Sequence, residues 1–82
     1  MVIEEGILKQ DILNIISKTT EVPISNIADD SHFVEDLGAD SMLILEIMVA
    51  LEKKFKINIQ EDDLPKMATL RQAMDLVKKL LK

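Results

Sequence analysis

Between Ser41 and Phe55 the chain reads SMLILEIMVALEKKF, and its apolar side chains point to more sides of a helix than a small protein can bury. No glycine or proline interrupts the run, and the carboxylate of Asp40 can accept hydrogen bonds from the unpaired amides of a first helical turn. A helix is therefore expected from Asp40 or Ser41 to about Phe55. Ile44, Ile47, Met48, Leu51 and Phe55 form one narrow stripe at i, i+3, i+4, i+7 and i+11, the expected core face. Met42, Leu45 and Val49 fall on another side, beside Glu46 and Lys53, while Leu43 points elsewhere again. Either the loop ahead of this helix folds back over the second stripe, or a partner docks there. Methionine suits surfaces that meet several partners.

The remainder of the chain supplies what this helix packs against. Ile3, Ile7, Leu8, Ile12, Ile15 and Ile16 recur at helical spacing and predict a first helix from Ile3 to Lys18. The stretch TTEVPISNIADDSHFVEDLGA is a long first loop, and its Val22, Ile24, Ile27, Phe33, Val34 and Leu37 are expected to pack over the core. EDDLPKM is expected to form one short helical turn, limited by Pro65. The last helix begins at TLRQ, where Thr69 and Gln72 have capping-box spacing, and its core stripe is Leu70, Ala73, Met74, Val77 and Leu81. No strand-period alternation competes. The expected fold is all-α: a small four-helix bundle of three main helices plus one short one, forming a single domain over residues 1–82.

Composition excludes several chemistries. With no cysteine and only His32, there is no zinc ribbon, redox pair, cysteine nucleophile or histidine-rich metal site. The acids Asp29, Asp30, Glu35, Asp36 and Asp40 lack calcium-hand spacing, so weak, nonspecific cation binding is the most expected of them. The N-terminal stretch has neither signal-peptide nor transit-peptide character, and no apolar run is long enough to span a bilayer, so a cytoplasmic location is expected. The formal charge of −5 is uneven: no lysine or arginine lies between Lys18 and Lys53, a window holding Glu21, Asp29, Asp30, Glu35, Asp36, Asp40, Glu46 and Glu52. That surface repels nucleic acid and anionic lipid and steers toward basic protein patches, unless it is merely a solvated face that aids solubility.

Ser41 is the one residue whose place asks for chemistry. A triad nucleophile needs a base and an orienting acid, and GADSM lacks the G-x-S-x-G pattern of the hydrolase elbow. His32, nine residues earlier, is expected to serve local hydrogen bonding in its loop. A helix N-terminus does favour a phosphate, so Ser41 is either a plain helix-starting residue or the bearer of a phosphate ester.

FVEDLGADSM followed by LEIMVALEKKF closely resembles the acyl carrier protein family, particularly the discrete bacterial type. The resemblance runs from the first helix through ATLRQAMDLV. It rests on Phe33, the run Glu35 to Ser41, Ala50-Leu51-Glu52 and Phe55 together. It implies that Ser41, between Asp40 and Met42 of a D-S-[LM] motif, carries 4'-phosphopantetheine, installed from coenzyme A by a phosphopantetheinyl transferase. The thiol of that arm would hold acyl groups as thioesters, making the chain a carrier and not an enzyme. The implied partners are acyl-activating, acyl-transfer and ketosynthase-type enzymes met by a monomer. Met42, Leu43, Leu45, Glu46, Val49 and Glu52 are the expected partner-facing residues.

The chain departs from the family pattern in three places. Met42 replaces the usual leucine, Leu43 replaces an acid next to the attachment position, and Lys53 and Lys54 stand where acids are usual. A carrier serving a dedicated fatty-acid or polyketide-type pathway is the leading expectation. A carrier of aminoacyl cargo, or a helical adaptor that is never modified, are the alternatives. Cargo length and pathway are not written in the sequence.

Overall fold

The computed structural model describes residues 4–81, which hold three α-helices and two short 3₁₀ turns. Helix α1 spans Glu5–Thr20, α2 Ser41–Phe55 and α3 Leu70–Leu80. The turn at Glu61–Lys66 is the expected short element around Pro65, in 3₁₀ form. A second turn, Ile24–Asn26, was not expected from sequence. Helix α1 packs against both α2 and α3.

Each helix ends where its residues supply a stop. At the end of α1, Thr20 Oγ1 donates to the Ile16 carbonyl at 2.7 Å and Glu21 turns left-handed at φ 62°. This carries α1 two residues beyond the expected end at Lys18; the expected start at Ile3 lies outside the described residues. Helix α2 begins under Asp40, whose Oδ1 accepts from the Leu43 amide at 2.9 Å. It stops at Lys56, left-handed at φ 56°, with the Ile57 amide donating back to the Glu52 carbonyl at 3.2 Å. At α3, Thr69 Oγ1 accepts from the Gln72 amide at 3.2 Å. The reciprocal half differs from a capping box: Gln72 Oε1 accepts from Ala68, one residue before the cap, at 2.9 Å.

The core joins Leu8, Ile12 and Ile16 of α1, Ile47 and Leu51 of α2, and Leu70, Ala73 and Val77 of α3. On α1, Leu13 is also buried, whereas Ile7 is 55% exposed near the helix start and Ile15 is only partly covered. Along the loop, Ile27, Phe33 and Leu37 are buried and Val22 is partly covered, but Ile24 and Val34 face solvent. On α3, Leu76 joins the buried stripe and Leu81 is only partly buried.

The long loop is tied down at both sides. Phe33, fully buried, donates its amide to the Ala68 carbonyl at 2.8 Å, and the flanking His32 forms an isolated antiparallel bridge with Thr69. The Asp29 carbonyl accepts from the Arg71 amide at 2.9 Å, satisfying an otherwise unpaired donor in the first turn of α3. Asp29 and Asp30 also pair with Lys9 and Arg71, at 2.8 Å and 3.0 Å. The loop thus reaches α2 along a fixed path.

Candidate functional site

The path ends in a compact turn that delivers Ser41. His32 accepts at both ends of it: its carbonyl takes the amides of Asp36 and Leu37, and its Nδ1 takes those of Val34 and Glu35, each at 3.3 Å. Asp36 returns a bond, its Oδ2 accepting from the His32 amide at 2.7 Å. The Ala39 amide then donates to the Phe33 carbonyl, so a buried aromatic anchors the turn from below. Gly38 crosses it at φ 72°, a conformation that L side chains adopt only with strain. His32 is thus a loop organiser, as its sequence position implied, with Nδ1 already engaged.

Ser41 is the first residue of α2 and is exposed. Among the described residues, no hydrogen bond engages its hydroxyl. Nor does any take up the amides of Ser41 and Met42, since Asp40 caps only the amides of Leu43 and Ile44. A free hydroxyl beside two unpaired donors, at the positive end of a 15-residue helix, is a place that can hold a phosphate ester. The Asp40 carboxylate is turned into the helix cap by its bond to Leu43, which offsets part of its repulsion toward an added anion.

Beside Ser41 lies an open apolar hollow of about 400 Å³ lined by Met42, Leu45, Glu46, Val49, Ala50 and Lys53. Met42 is 69% exposed and Leu45 and Val49 are each 41% exposed, so the long loop does not cover this stripe. Leu43 is placed differently: it is partly buried and packs against the core. Glu52 also stands apart, its Oε2 accepting from the Ile59 amide at 2.8 Å to close the chain after α2.

The acidic window sorts itself by partner. Asp29 and Asp30 are taken by Lys9 and Arg71, Asp36 by the His32 amide, Asp40 by the cap and Glu52 by Ile59. Among the described residues, Glu21, Glu35 and Glu46 have no such partner. Of these, Glu46 alone lines the hollow. The bond from Lys9 holds the Asp29 carboxyl below its ordinary range, against a smaller opposing effect of burial. The described residues contain no group of three or more side chains placed to hold a metal ion, and no helix long and apolar enough to cross a membrane. Apart from the Asp40 cap, sequence reasoning did not foresee that these acids would serve the fold. For Asp29 and Asp30 the signal lay in Lys9 and Arg71, far away along the chain.

Comparison with known proteins completes the picture. A family profile described as the phosphopantetheine attachment site matches residues 10–77. The acyl carrier protein of Sulfurovum sp. (strain NBC37-1) is 37% identical over 70 residues, covering 85% of this chain and 93% of its own. The acyl carrier protein of Cyanidium caldarium is 36% identical over 77 residues, covering 94% of this chain and 88% of its own. Among solved structures, the apo doublet acyl carrier protein from prodigiosin biosynthesis aligns with a TM-score of 0.78 at 30% identity. That match covers 90% of this chain and 36% of the other. Profile, relatives and shared helical fold agree. The chain belongs to the acyl carrier protein family: it is a carrier and not an enzyme, and its cofactor is covalently attached 4'-phosphopantetheine.

Proposed function

We propose that Ser41 is the attachment point of the phosphopantetheine arm and that Met42, Leu45, Glu46 and Val49 form the surface read by successive partner enzymes. The observation that carries this reading is the adjacency of a free, exposed serine hydroxyl at the start of α2 and an uncovered apolar hollow on the same helix. The arm supplies a thiol, which a cysteine-free chain otherwise lacks, and acyl intermediates are held on it as thioesters. The chain's part is to present the serine and offer a docking face. With His32 Nδ1 already accepting two amides, the base that takes the Ser41 proton belongs to the modifying enzyme.

The cargo in this reading is of the fatty-acid or polyketide type, handled by acyl-activating, acyl-transfer and ketosynthase-type enzymes of a dedicated cytoplasmic pathway. The apolar character of α2 and the lysines Lys53 and Lys54 near its end support a dedicated set of partners. Leu43 contributes to the fold as well as to this difference, because it packs on the core.

The test is the intact mass after incubation with coenzyme A and a broad-specificity phosphopantetheinyl transferase. A gain of one phosphopantetheine, absent in Ser41→Ala, is expected. A folded chain that keeps an unmodified Ser41 beside an active transferase points instead to an adaptor.

A further inference from the structure

The four methionines among the described residues differ widely in access. Met67 and Met74 are buried, at 0% and 7% exposure, and Met48 is partly buried against the core. Met42 is 69% exposed. It is also the residue after Ser41 and part of the lining of the apolar hollow. The chain has no cysteine, so before the arm is attached methionine is its only sulfur. Among the described residues, a dissolved oxidant reaches one such sulfur in preference to the other three, and that sulfur sits in the docking face.

We propose that Met42 is a reversible oxidation site that turns the α2 docking face off under hydrogen peroxide stress. The thioether sulfur attacks one peroxide oxygen and the O–O bond breaks. Sulfur is oxidised by two electrons to the sulfoxide, and the second oxygen leaves as water with the proton shed by the first. The reverse step is that of a thiol-dependent sulfoxide reductase: the oxygen leaves as water while two thiols become a disulfide. The product is polar where the hollow needs an apolar contact, and methionine-lined interfaces lose affinity on this change. It also places a strong acceptor in the helical turn that carries the unpaired amides of Ser41 and Met42. The core is unaffected, because Met42 contributes nothing to it. The order of oxidation follows from exposure alone, whereas its consequence for docking rests on the carrier reading.

The experiment uses the unmodified full chain, treated with graded hydrogen peroxide that is removed before assay. Among the four described methionines, peptide mass mapping is expected to find one added oxygen on Met42 first, on Met48 later, and on Met67 and Met74 only when the fold is lost. Protein oxidised at Met42 alone is expected to load phosphopantetheine on Ser41 about tenfold more slowly, with an unchanged melting temperature. Sulfoxide reductase with a dithiol is expected to restore the rate. Met42→Leu, compared with its own untreated rate, is expected to show no loss at the same peroxide dose. Oxidation of the buried methionines as fast as Met42, or an unchanged loading rate in protein oxidised there alone, overturns the proposal. An untreated protein that never loads overturns the carrier reading and the switch with it, leaving only the order of oxidation standing.

Discussion

At the scale of single residues, the backbone angle matters as much as the side chain. Gly38 has open space where a Cβ would go, so a substitution there meets no clash, yet its φ of 72° penalises any L residue. Gly38→Ala is therefore expected to cost about 1 kcal/mol, read as a lower melting temperature, purely through conformation. Gly6, in the first turn of α1 with equally open surroundings, gives the opposite sign. Gly6→Ala is expected to stabilise by up to about 1 kcal/mol, because alanine gives up less freedom in a helix. A loss in both variants would show that something other than backbone conformation governs them. The cap at Asp40 and the turn at Gly38 were legible in the run DLGADS, where each residue type has a local reason to be there. The left-handed Glu21 and Lys56 were not, since neither residue favours that conformation and only the packing of the helices fixes where the chain must leave.

At the scale of the element, α2 resolves the question its sequence raises: it buries Ile47, Leu51 and Phe55 of one stripe, partly buries Ile44 and Met48, and leaves the second stripe uncovered. That separation was legible from periodicity because the helix is uninterrupted and its two stripes lie far apart on the wheel. The same reasoning was weaker on α1, where apolar residues surround much of the helix and the choice between Ile7 and Leu13 depends on where α2 and α3 lie. In the loop no period exists to sort Phe33 from Val34. The two faces of α2 are expected to respond to substitution in opposite ways. Leu51→Ala removes a fully buried side chain and is expected to cost about 2–5 kcal/mol of stability, with loading of the surviving folded protein little changed. Leu45→Gln is expected to leave the urea midpoint nearly where it was and to slow loading of Ser41 about tenfold. Should Leu45→Gln unfold the chain instead, the hollow would be part of the core and not a docking face.

At the scale of the molecule, the charged groups bind the long loop to the bundle. Lys9 on α1 and Arg71 on α3 both reach Asp29, at 2.8 Å and 3.9 Å, and Arg71 also holds Asp30. One acidic corner of the loop therefore bridges two helices, and the route of the chain from there to Ser41 passes through the buried Phe33. These pairs are exposed, so each adds little and is screened by salt. Their effect is on where the loop sits more than on whether the bundle folds. The bond to Lys9 depresses the Asp29 carboxyl in the folded state, so its contribution is complete above the unfolded value near pH 4. It is lost as pH falls through the lower folded value. Glu5, depressed by its bond to Lys78, adds in the same direction. Asp29→Asn is thus expected to lower the melting temperature by a few degrees at neutral pH and low salt, with the gap closing in high salt and again as pH falls through the depressed folded value. Because this substitution keeps the backbone carbonyl that accepts from Arg71, the difference isolates the charge. Melting curves of the two proteins across pH and salt measure it, and a gap that persists once Asp29 is protonated in the folded state would assign the loss to packing of the loop and not to the ionic bridge.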